Sequence, residues 1–238
     1  MTLSFVLAEC EYHTTYLANM TRTRTFRLVA GVLLVLSTSI VCPAQENKKL
    51  EYAILIDNTG SMRSQFDLVL RLGKAVNHQV HDHGPVSIFS FRGEGIGRGS
   101  RAVLTPQIER TQDEDLIDRT IESSYVEGGQ TTLLDAVESM AERLNQPLAA
   151  TDKVIILITD GEDRVSEKNR KEVIAKLKEN KTSVYAIGLV EQLEASKRSK
   201  ATDLLKLLTK ETGGRVIFPK SNQLEIDNLL NELAVPIK

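Results

Sequence analysis

Two short, continuously apolar runs constrain the fold of this 238-residue chain more than any other feature. They are AILI at 53–56 and VIILI at 154–158, and each leads to an aspartate, Asp57 or Asp160, followed by a polar loop that contains glycine. Short apolar runs that stop abruptly at a turn are typical of parallel strands buried on both faces. Ligands of such sheets bind at the carboxyl ends of the strands, so we expect the two aspartates to meet across one crevice.

Segments with strand and helix character alternate along the rest of the chain. The apolar residues of the helical segments recur at three- and four-residue spacing, which is typical of helices packed on a sheet. The alternation predicts an α/β fold with a doubly wound, mostly parallel six-stranded sheet and helices on both faces. The predicted strands are 51–57, 86–91, 101–105, 153–159, 183–190 and 215–218, and the predicted helices are 63–81, 112–124, 132–145, 166–179, 198–211 and 222–234.

The second and third predicted strands are joined by a glycine-rich segment, RGEGIGRGS at 92–100. A connector this short cannot hold a crossover helix, so the third strand is expected to be an antiparallel edge strand. The glycines superficially resemble a phosphate-binding loop, but such a loop leads from a strand into a helix. We therefore favour a hairpin tip, because glycine adopts turn conformations easily.

The loop after the first strand, DNTGS at 57–61, has oxygen-bearing side chains at its first, third and fifth positions. Alternate residues of a curled loop point to the same side, which places a carboxylate and two hydroxyls around one small volume. Mg²⁺ takes oxygen ligands at about 2.0–2.1 Å, keeps several waters and uses few protein carboxylates. Further candidate ligands lie downstream at Thr131, Thr132 and Asp160. The sequence therefore predicts a site for a hard cation.

Three segments, AILIDNTGSM, GGQTTLLDA and ILITDGED, together resemble the von Willebrand factor type A (VWA) domain with its metal-ion-dependent adhesion site. The resemblance covers the chain from residue 50 to its end. Matched one by one, the family's metal ligands correspond to Asp57, Thr59, Ser61, Thr131 and Asp160. Thr59 stands where serine is commoner, but it keeps the hydroxyl.

The choice between Thr131 and its neighbour Thr132 stays open. Thr131 is preferred because it precedes the Leu-x-Asp-Ala run at the offset that is usual in the family.

The resemblance implies a Rossmann-like VWA fold that binds Mg²⁺, Mn²⁺ or Ca²⁺, with a Glu or Asp of a partner protein completing the coordination. Hydroxyl ligands leave the cation incompletely neutralised and with a replaceable ligand, and such an ion attracts an external carboxylate. The leading hypothesis is a metal-dependent protein-binding module for adhesion or assembly, and not an enzyme. The Thr131 loop and the segment 92–100 are expected to shape partner choice.

Other interpretations of the same residues stay open. Any single Asp, Ser or Thr of this set would also be suited to cap a helix. The DNTGS loop also resembles the aspartyl-phosphate motif of certain phosphatases, with Asp57 as nucleophile and Lys181 as phosphate-binding lysine. Against this, Thr59 stands where those phosphatases usually have a second acid. A third alternative is a VWA fold with a purely structural role.

Two smaller groups of charged residues are less informative. His78, His81 and His83 are close enough in sequence to suggest a zinc site. They stand at a predicted helix end, where cationic side chains are favourable anyway, so we favour a solvated helix terminus. Glu162 and Asp163 are interpreted as loop charges or as the cap of the next helix.

The front of the chain has the three-part layout of a secretory signal peptide. Residues 20–27 are basic, residues 28–36 are apolar, and small residues precede Gln45. We predict a signal peptide over 1–44, with translation starting at Met20, and one domain over 45–238 of a secreted or periplasmic protein. The apolar run is shorter than the roughly 20 residues of a membrane span. Lipidation of Cys42 is the less favoured alternative, because valine precedes it.

Removing this leader changes the charge and the cysteine content of the chain. Three arginines and two glutamates leave, so the net charge goes from −2 to −3. No strong basic field remains to bind nucleic acid. Both cysteines, Cys10 and Cys42, also leave with the leader. An exported domain without cysteine suits a bacterial envelope better than a disulfide-rich animal secretome.

Overall fold

The computed structural model describes residues 50–95, 100–145, 152–220, 226–233 and 235. The predicted signal peptide over 1–44, with Met20 and Cys42, lies outside the described residues, and so does part of the glycine-rich segment, 96–99. Across the described ranges, no helix combines the length and the apolar character that a membrane span requires.

Strands and helices alternate along the described part of the chain. The strands are β1 (Leu50–Asp57), β2 (Val86–Glu94), β3 (Arg101–Thr111), β4 (Asp152–Thr159), β5 (Thr182–Gly188) and β6 (Val216–Ile217). The helices are α1 (Phe66–Val80), α2 (Glu114–Glu122), α3 (Leu133–Leu144), α4 (Arg170–Glu179), α5 (Ala195–Glu211) and α6 (Ile226–Leu233). Short 3₁₀ segments, Gly60–Gln65 and His81–His83, flank α1.

The strands form a six-stranded sheet in the order β3-β2-β1-β4-β5-β6. Neighbouring strands are parallel except for β3, which pairs antiparallel with β2 at the edge. The predicted doubly wound α/β fold with one antiparallel edge strand is confirmed. The chain runs outward from β1 to β3 and then returns to β4 on the other side of β1, so the strand order reverses between β1 and β4. The carboxyl ends of these two strands form the crevice in which such folds bind ligands.

Two hydrophobic clusters cover the two faces of the sheet. Side chains of β1 alternate between them, as the two-residue period of a strand requires. Tyr52, Ile54 and Ile56 pack with residues of α1, α2 and α6, whereas Ala53 and Leu55 pack with residues of α3, α4 and α5. Both faces of β1 are therefore buried, which explains its continuously apolar sequence.

Two predicted boundaries show the largest errors. The third strand was predicted to end at residue 105, but β3 continues through Pro106 to Thr111. Proline is tolerated there because β3 is an edge strand and Pro106 lies beside an irregularity in its pairing with β2. The predicted start of a helix at residue 166 was also too early. The helix begins after Asn169, whose side chain accepts hydrogen bonds from Lys171 and Glu172 N–H in a capping box.

Candidate metal centre

The two aspartates predicted to form the site lie at the carboxyl ends of two adjacent central strands of the sheet. Asp57 ends β1 and Asp160 directly follows β4, and the adjacent parallel strands align Ile56 with Ile158. Asp57 and Asp160 are both buried, and the charge of Asp160 contributes to raising the pKa of Asp57. The two carboxyl groups therefore share one crevice.

The loop after β1 gathers three of the predicted oxygen ligands. Asp57 Oδ1 accepts hydrogen bonds from the Thr59 N–H at 3.0 Å and from the Thr59 hydroxyl at 2.6 Å. The hydroxyl oxygens of Thr59 and Ser61 lie 3.2 Å apart. The chain curls into a 3₁₀ segment at Gly60, which brings these alternate side chains to one side. Thr59 is buried, whereas Ser61 is only partly buried.

Thr159, which the sequence prediction missed, holds the other oxygen of Asp57. Its hydroxyl donates to Asp57 Oδ2 at 2.6 Å and accepts a hydrogen bond from the Gly161 N–H at 3.0 Å. Thr159 thus links the end of β1 to the loop that carries Asp160. A signal for this role was present in the sequence, because Thr159 is a hydroxyl residue that interrupts the apolar run of β4 directly before Asp160.

Asn58, the second residue that the prediction missed, fixes the segment that leads to Thr131. Its side-chain Oδ1 accepts a hydrogen bond from the Glu127 N–H at 2.9 Å, and its carbonyl accepts one from the Gly128 N–H at 3.1 Å. Gly93 and Gln130 exchange two backbone hydrogen bonds of 2.7 and 3.2 Å. The Thr131 loop is therefore bonded both to the first ligand loop and to the end of β2.

Thr131 itself is buried and is bonded to the loop of Asp160. Its carbonyl accepts hydrogen bonds from the Arg164 N–H at 3.0 Å and the Val165 N–H at 3.3 Å. The neighbouring Thr132 is also buried, and its hydroxyl has no hydrogen-bond partner within the described ranges. The three loops that carry the predicted ligands are thus bonded to one another, and both threonines remain candidates.

The electrostatics of the two aspartates fit a cation. Burial, followed by the charge of Asp160, raises the pKa of Asp57 to about 7, although hydrogen bonds from Thr159 and Thr59 act in the opposite direction. Burial also raises the pKa of Asp160, against the effect of the Ser61 hydroxyl and the Glu162 N–H. Asp160 Oδ2 is buried without a hydrogen-bond partner in the part of the chain that the structure describes. Two neighbouring buried carboxyl groups with an unsatisfied oxygen, surrounded by hydroxyls, are a donor set that suits a hard divalent cation.

The family model of the von Willebrand factor type A domain matches residues 53–232. The chain belongs to this family. A search of curated proteins gave no match. Among solved structures, BatB from Bacteroides thetaiotaomicron is similar to this VWA domain, with 19% sequence identity, a TM-score of 0.57, and coverage of 78% of this chain and 98% of that chain.

Two other similar structures contain a metal ion. Manganese-loaded TRAP protein from Plasmodium vivax has 17% identity and a TM-score of 0.56, with coverage of 80% of this chain and 73% of that chain. Proximal thread matrix protein 1 from the mussel byssus, with a zinc-occupied MIDAS motif, has 17% identity and a TM-score of 0.58, with coverage of 78% and 46%. At this level of identity, these likenesses establish the VWA fold.

Asp163 of the VWA domain caps a helix, but not the one predicted. Its Oδ1 accepts hydrogen bonds from the Leu133 N–H at 3.0 Å and from the Ser166 hydroxyl at 2.5 Å. Leu133 begins α3, which precedes Asp163 by 30 residues. Of the two alternatives given for Asp163, a loop charge or the cap of the next helix, the second is wrong, since Asn169 fills that role. The loop of Asp160 is thus anchored to α3 as well as to Thr131.

Two of the three clustered histidines of the VWA domain, His78 and His81, lie beside the same acidic residue, Glu114. His78 Nδ1 contacts one carboxylate oxygen of Glu114, and His81 Nε2 lies 3.3 Å from the other. In the described residues, no group of three or more His, Cys, Asp or Glu side chains is arranged to hold a metal. The candidate metal centre contains only two carboxylates, and its other candidate ligands are hydroxyls, so it does not form a group of this kind.

Proposed function

We propose that this VWA domain is a metal-dependent protein-binding module for adhesion or assembly, in which a Mg²⁺-type ion captures a carboxylate of a partner protein. The observation that carries the proposal is the pair of buried carboxyl groups of Asp57 and Asp160, one of which has an unsatisfied oxygen. The hydroxyls of Thr59, Ser61 and Thr131 would supply neutral ligands. A divalent ion would offset the repulsion between the aspartates and satisfy the free oxygen.

The exposure of the site supports an external ligand. Gly60 is exposed and Ser61 is partly buried, whereas Asp57, Thr59 and Asp160 are buried. The ion would therefore be reached from the side of Ser61. Mg²⁺ usually retains waters in proteins, and a partner carboxylate is suited to replace one of them. Exclusion of water on binding strengthens that contact.

The choice of ion and the location of the protein are part of the proposal. The manganese and zinc in the two similar structures support a divalent ion, and the oxygen donors of this chain favour Mg²⁺, with Mn²⁺ or Ca²⁺ as alternatives. The pattern of residues 20–44 supports a secreted or periplasmic protein. We propose no binding of nucleic acid.

We also propose that the domain is not an enzyme. Lys181 stands immediately before β5, whose other end, Gly188, aligns with Thr159 near the metal centre. β5 is seven residues long, so its two ends are roughly 20 Å apart. Lys181 is therefore too distant to bind a phosphoryl group on Asp57. Hydrolysis of p-nitrophenyl phosphate by the wild type and by Asp57→Asn tests this. Metal-dependent turnover that disappears in the variant would favour the phosphatase alternative.

Metal titration tests the first step of the binding proposal. Isothermal titration calorimetry with Mg²⁺ or Mn²⁺ should show binding to the EDTA-treated wild type and none to Asp57→Asn or Asp160→Asn. The matched control is Asp113→Asn, because Asp113 caps α2 through the Leu116 N–H and is not one of the predicted ligands. Comparison of Thr131→Val with Thr132→Val identifies which threonine is the ligand. Absence of binding by the wild type at millimolar metal contradicts the proposal.

The protein partner is sought by pull-down from an envelope extract with and without EDTA. The expected result is a protein that is retained with Mg²⁺ and released by EDTA, and that is absent when Asp57→Asn is the bait. A partner retained equally by bait with and without metal would contradict the role of the ion.

A further inference from the structure

A groove of about 470 Å³ opens beside the candidate metal centre. The segment 161–163, which directly follows the candidate ligand Asp160, forms one side of it. The first residue of α4, Arg170, and the first half of α5, with Lys197 and Lys200, form the other sides. Because the Glu162 N–H donates to Asp160 Oδ1 at 2.9 Å, the groove begins at the ligand loop itself.

The two acidic residues of the groove are already engaged. Glu162 is buried and forms ion pairs with Arg164 and, at 3.6 Å, with Lys197. The Asp163 carboxylate accepts hydrogen bonds from the Leu133 N–H at the start of α3 and from the Ser166 hydroxyl in its own loop. Neither carboxylate is therefore available to neutralise the remaining cations of the groove.

Two basic side chains of the groove have no such partners. Arg170 and Lys200 are both exposed, and neither forms an ion pair or a side-chain hydrogen bond with any residue that the structure describes. Arg198, the neighbour of Lys197 on α5, differs from them because its guanidinium donates to the carbonyls of Glu191 and Leu193. The groove thus presents an unneutralised positive charge next to a site that is proposed to bind a carboxylate.

We propose that the groove binds an acidic, extended segment of the partner protein, with one carboxylate on the metal ion and a second one, a few residues away, on Arg170 and Lys200. This inference rests on the proposed function and specifies the chemistry of the partner. Opposite charge steers such a segment to the site and fixes its orientation. Once the first carboxylate is bound to the ion, the second contact is intramolecular, so an exposed pair that is weak alone adds to the affinity.

The lining of the groove also suits the residues between the two carboxylates. Leu134, Ala201 and Leu204 contribute apolar surface to it. A partner segment with small or apolar residues between its acidic residues would match this surface. A segment with lysine or arginine near its metal-binding carboxylate would be repelled by Arg170 and Lys200.

Fluorescence anisotropy with labelled peptides tests the inference on the purified protein. The probes are Gly/Ser peptides with one Glu, and matching peptides with a second Glu placed two to five residues away in either direction. With Mg²⁺, we expect the best two-Glu peptide to bind roughly three- to tenfold more tightly than the one-Glu peptide. The difference should shrink as NaCl rises, because exposed pairs are screened.

The double variant Arg170→Glu/Lys200→Glu should lose this advantage while keeping its affinity for Mg²⁺ and for the one-Glu peptide. The control, Lys210→Glu, repeats the charge reversal of Lys200→Glu on α5 about 15 Å further along the helix, and should keep the advantage. Thermal unfolding of each variant verifies that it is folded.

The outcomes separate this inference from the proposed function. Equal binding of one-Glu and two-Glu peptides, no peptide binding by the Mg²⁺-loaded protein, or an advantage that survives in the double variant would each overturn the inference and leave the metal site standing. Failure of the wild type to bind Mg²⁺ in calorimetry would overturn the proposed function, and the inference with it.

Discussion

At the scale of single residues, Thr159 determines how Asp57 is held. Replacing it with valine keeps the shape of the side chain but removes the donor to Asp57 Oδ2 and the acceptor of the Gly161 N–H. Because both groups are buried, we expect Thr159→Val to lower the free energy of unfolding by about 1–3 kcal/mol. Mg²⁺ affinity should also fall, since Asp57 loses its orientation. Urea unfolding and metal titration measure the two effects.

Thr159→Ser is the matched control, because it retains the hydroxyl and loses only a methyl group. Its Mg²⁺ affinity should stay close to that of the wild type. If Thr159→Val binds Mg²⁺ as tightly as Thr159→Ser, the hydrogen bond to Asp57 has no part in organising the centre.

The candidate ligands themselves could be predicted from the sequence, but the residues that hold them could not. Asp57, Thr59 and Ser61 alternate within one short loop, so their grouping follows from local geometry. Asn58 acts through its contact with Glu127, which is 69 positions away in the chain. Thr159 acts through its contact with Asp57, which is 102 positions away. Such partners are set by the pairing of β1 with β4 and by the path of the loop before α3, which no local pattern specifies.

At the scale of elements, α3 depends on a cap from a later loop. Asp163→Ala leaves the Leu133 N–H without its side-chain acceptor, and a lost cap of this kind costs about 1 kcal/mol of unfolding free energy. The same change frees the loop of Asp160 from α3, so Mg²⁺ affinity should fall as well. Differential scanning calorimetry and metal titration on the same sample measure both quantities.

Asp113→Ala provides the comparison for Asp163→Ala. Asp113 caps α2 by accepting from the Leu116 N–H at 2.9 Å, and it follows β3, which runs antiparallel to β2 and so ends away from the metal centre. We expect a similar loss of stability with unchanged Mg²⁺ affinity. Equal metal affinity in the two variants would show that the capping of α3 does not support the site.

Elements were predictable where burial and periodicity agree. The strands β1 and β4 are apolar on both faces and were predicted nearly to the residue, and α3 was predicted within one residue at each end. The edge strand β3 is only partly buried, so its sequence carries little burial signal beyond residue 105. The start of α4 was missed because the polar residues before it bond to α3 through Asp135, whose carboxylate accepts from the Glu167 and Lys168 N–H groups.

At the scale of the whole molecule, the buried aspartates make stability depend on pH. The pKa of Asp57 rises from its ordinary value of 3.8 to about 7 on folding, so the folded state binds more protons than the unfolded state between these values. The free energy of unfolding of the metal-free protein should therefore decrease as pH rises from about 4 to 7, by an amount on the order of a few kcal/mol from this group. The destabilisation is complete above about pH 7.

Mg²⁺ should oppose this loss, because a cation binds the deprotonated carboxylates and stabilises the folded state that binds it. The stabilisation by Mg²⁺ is expected to be larger at pH 8 than at pH 5. Urea unfolding across this pH range, in EDTA and in Mg²⁺, measures both trends. Asp57→Asn isolates the contribution of this group, and an identical pH dependence in wild type and variant under EDTA would contradict the assignment.

The strands at the two lateral borders of the sheet affect whether copies of this protein aggregate with one another. One border is β6, with two residues, and the other is β3, in which Pro106 lacks a backbone N–H. Long, regular borders promote strand-by-strand joining of separate molecules, and both short borders and proline prevent it. Each border of this sheet therefore carries one feature that disfavours the strand-by-strand joining of crowded copies.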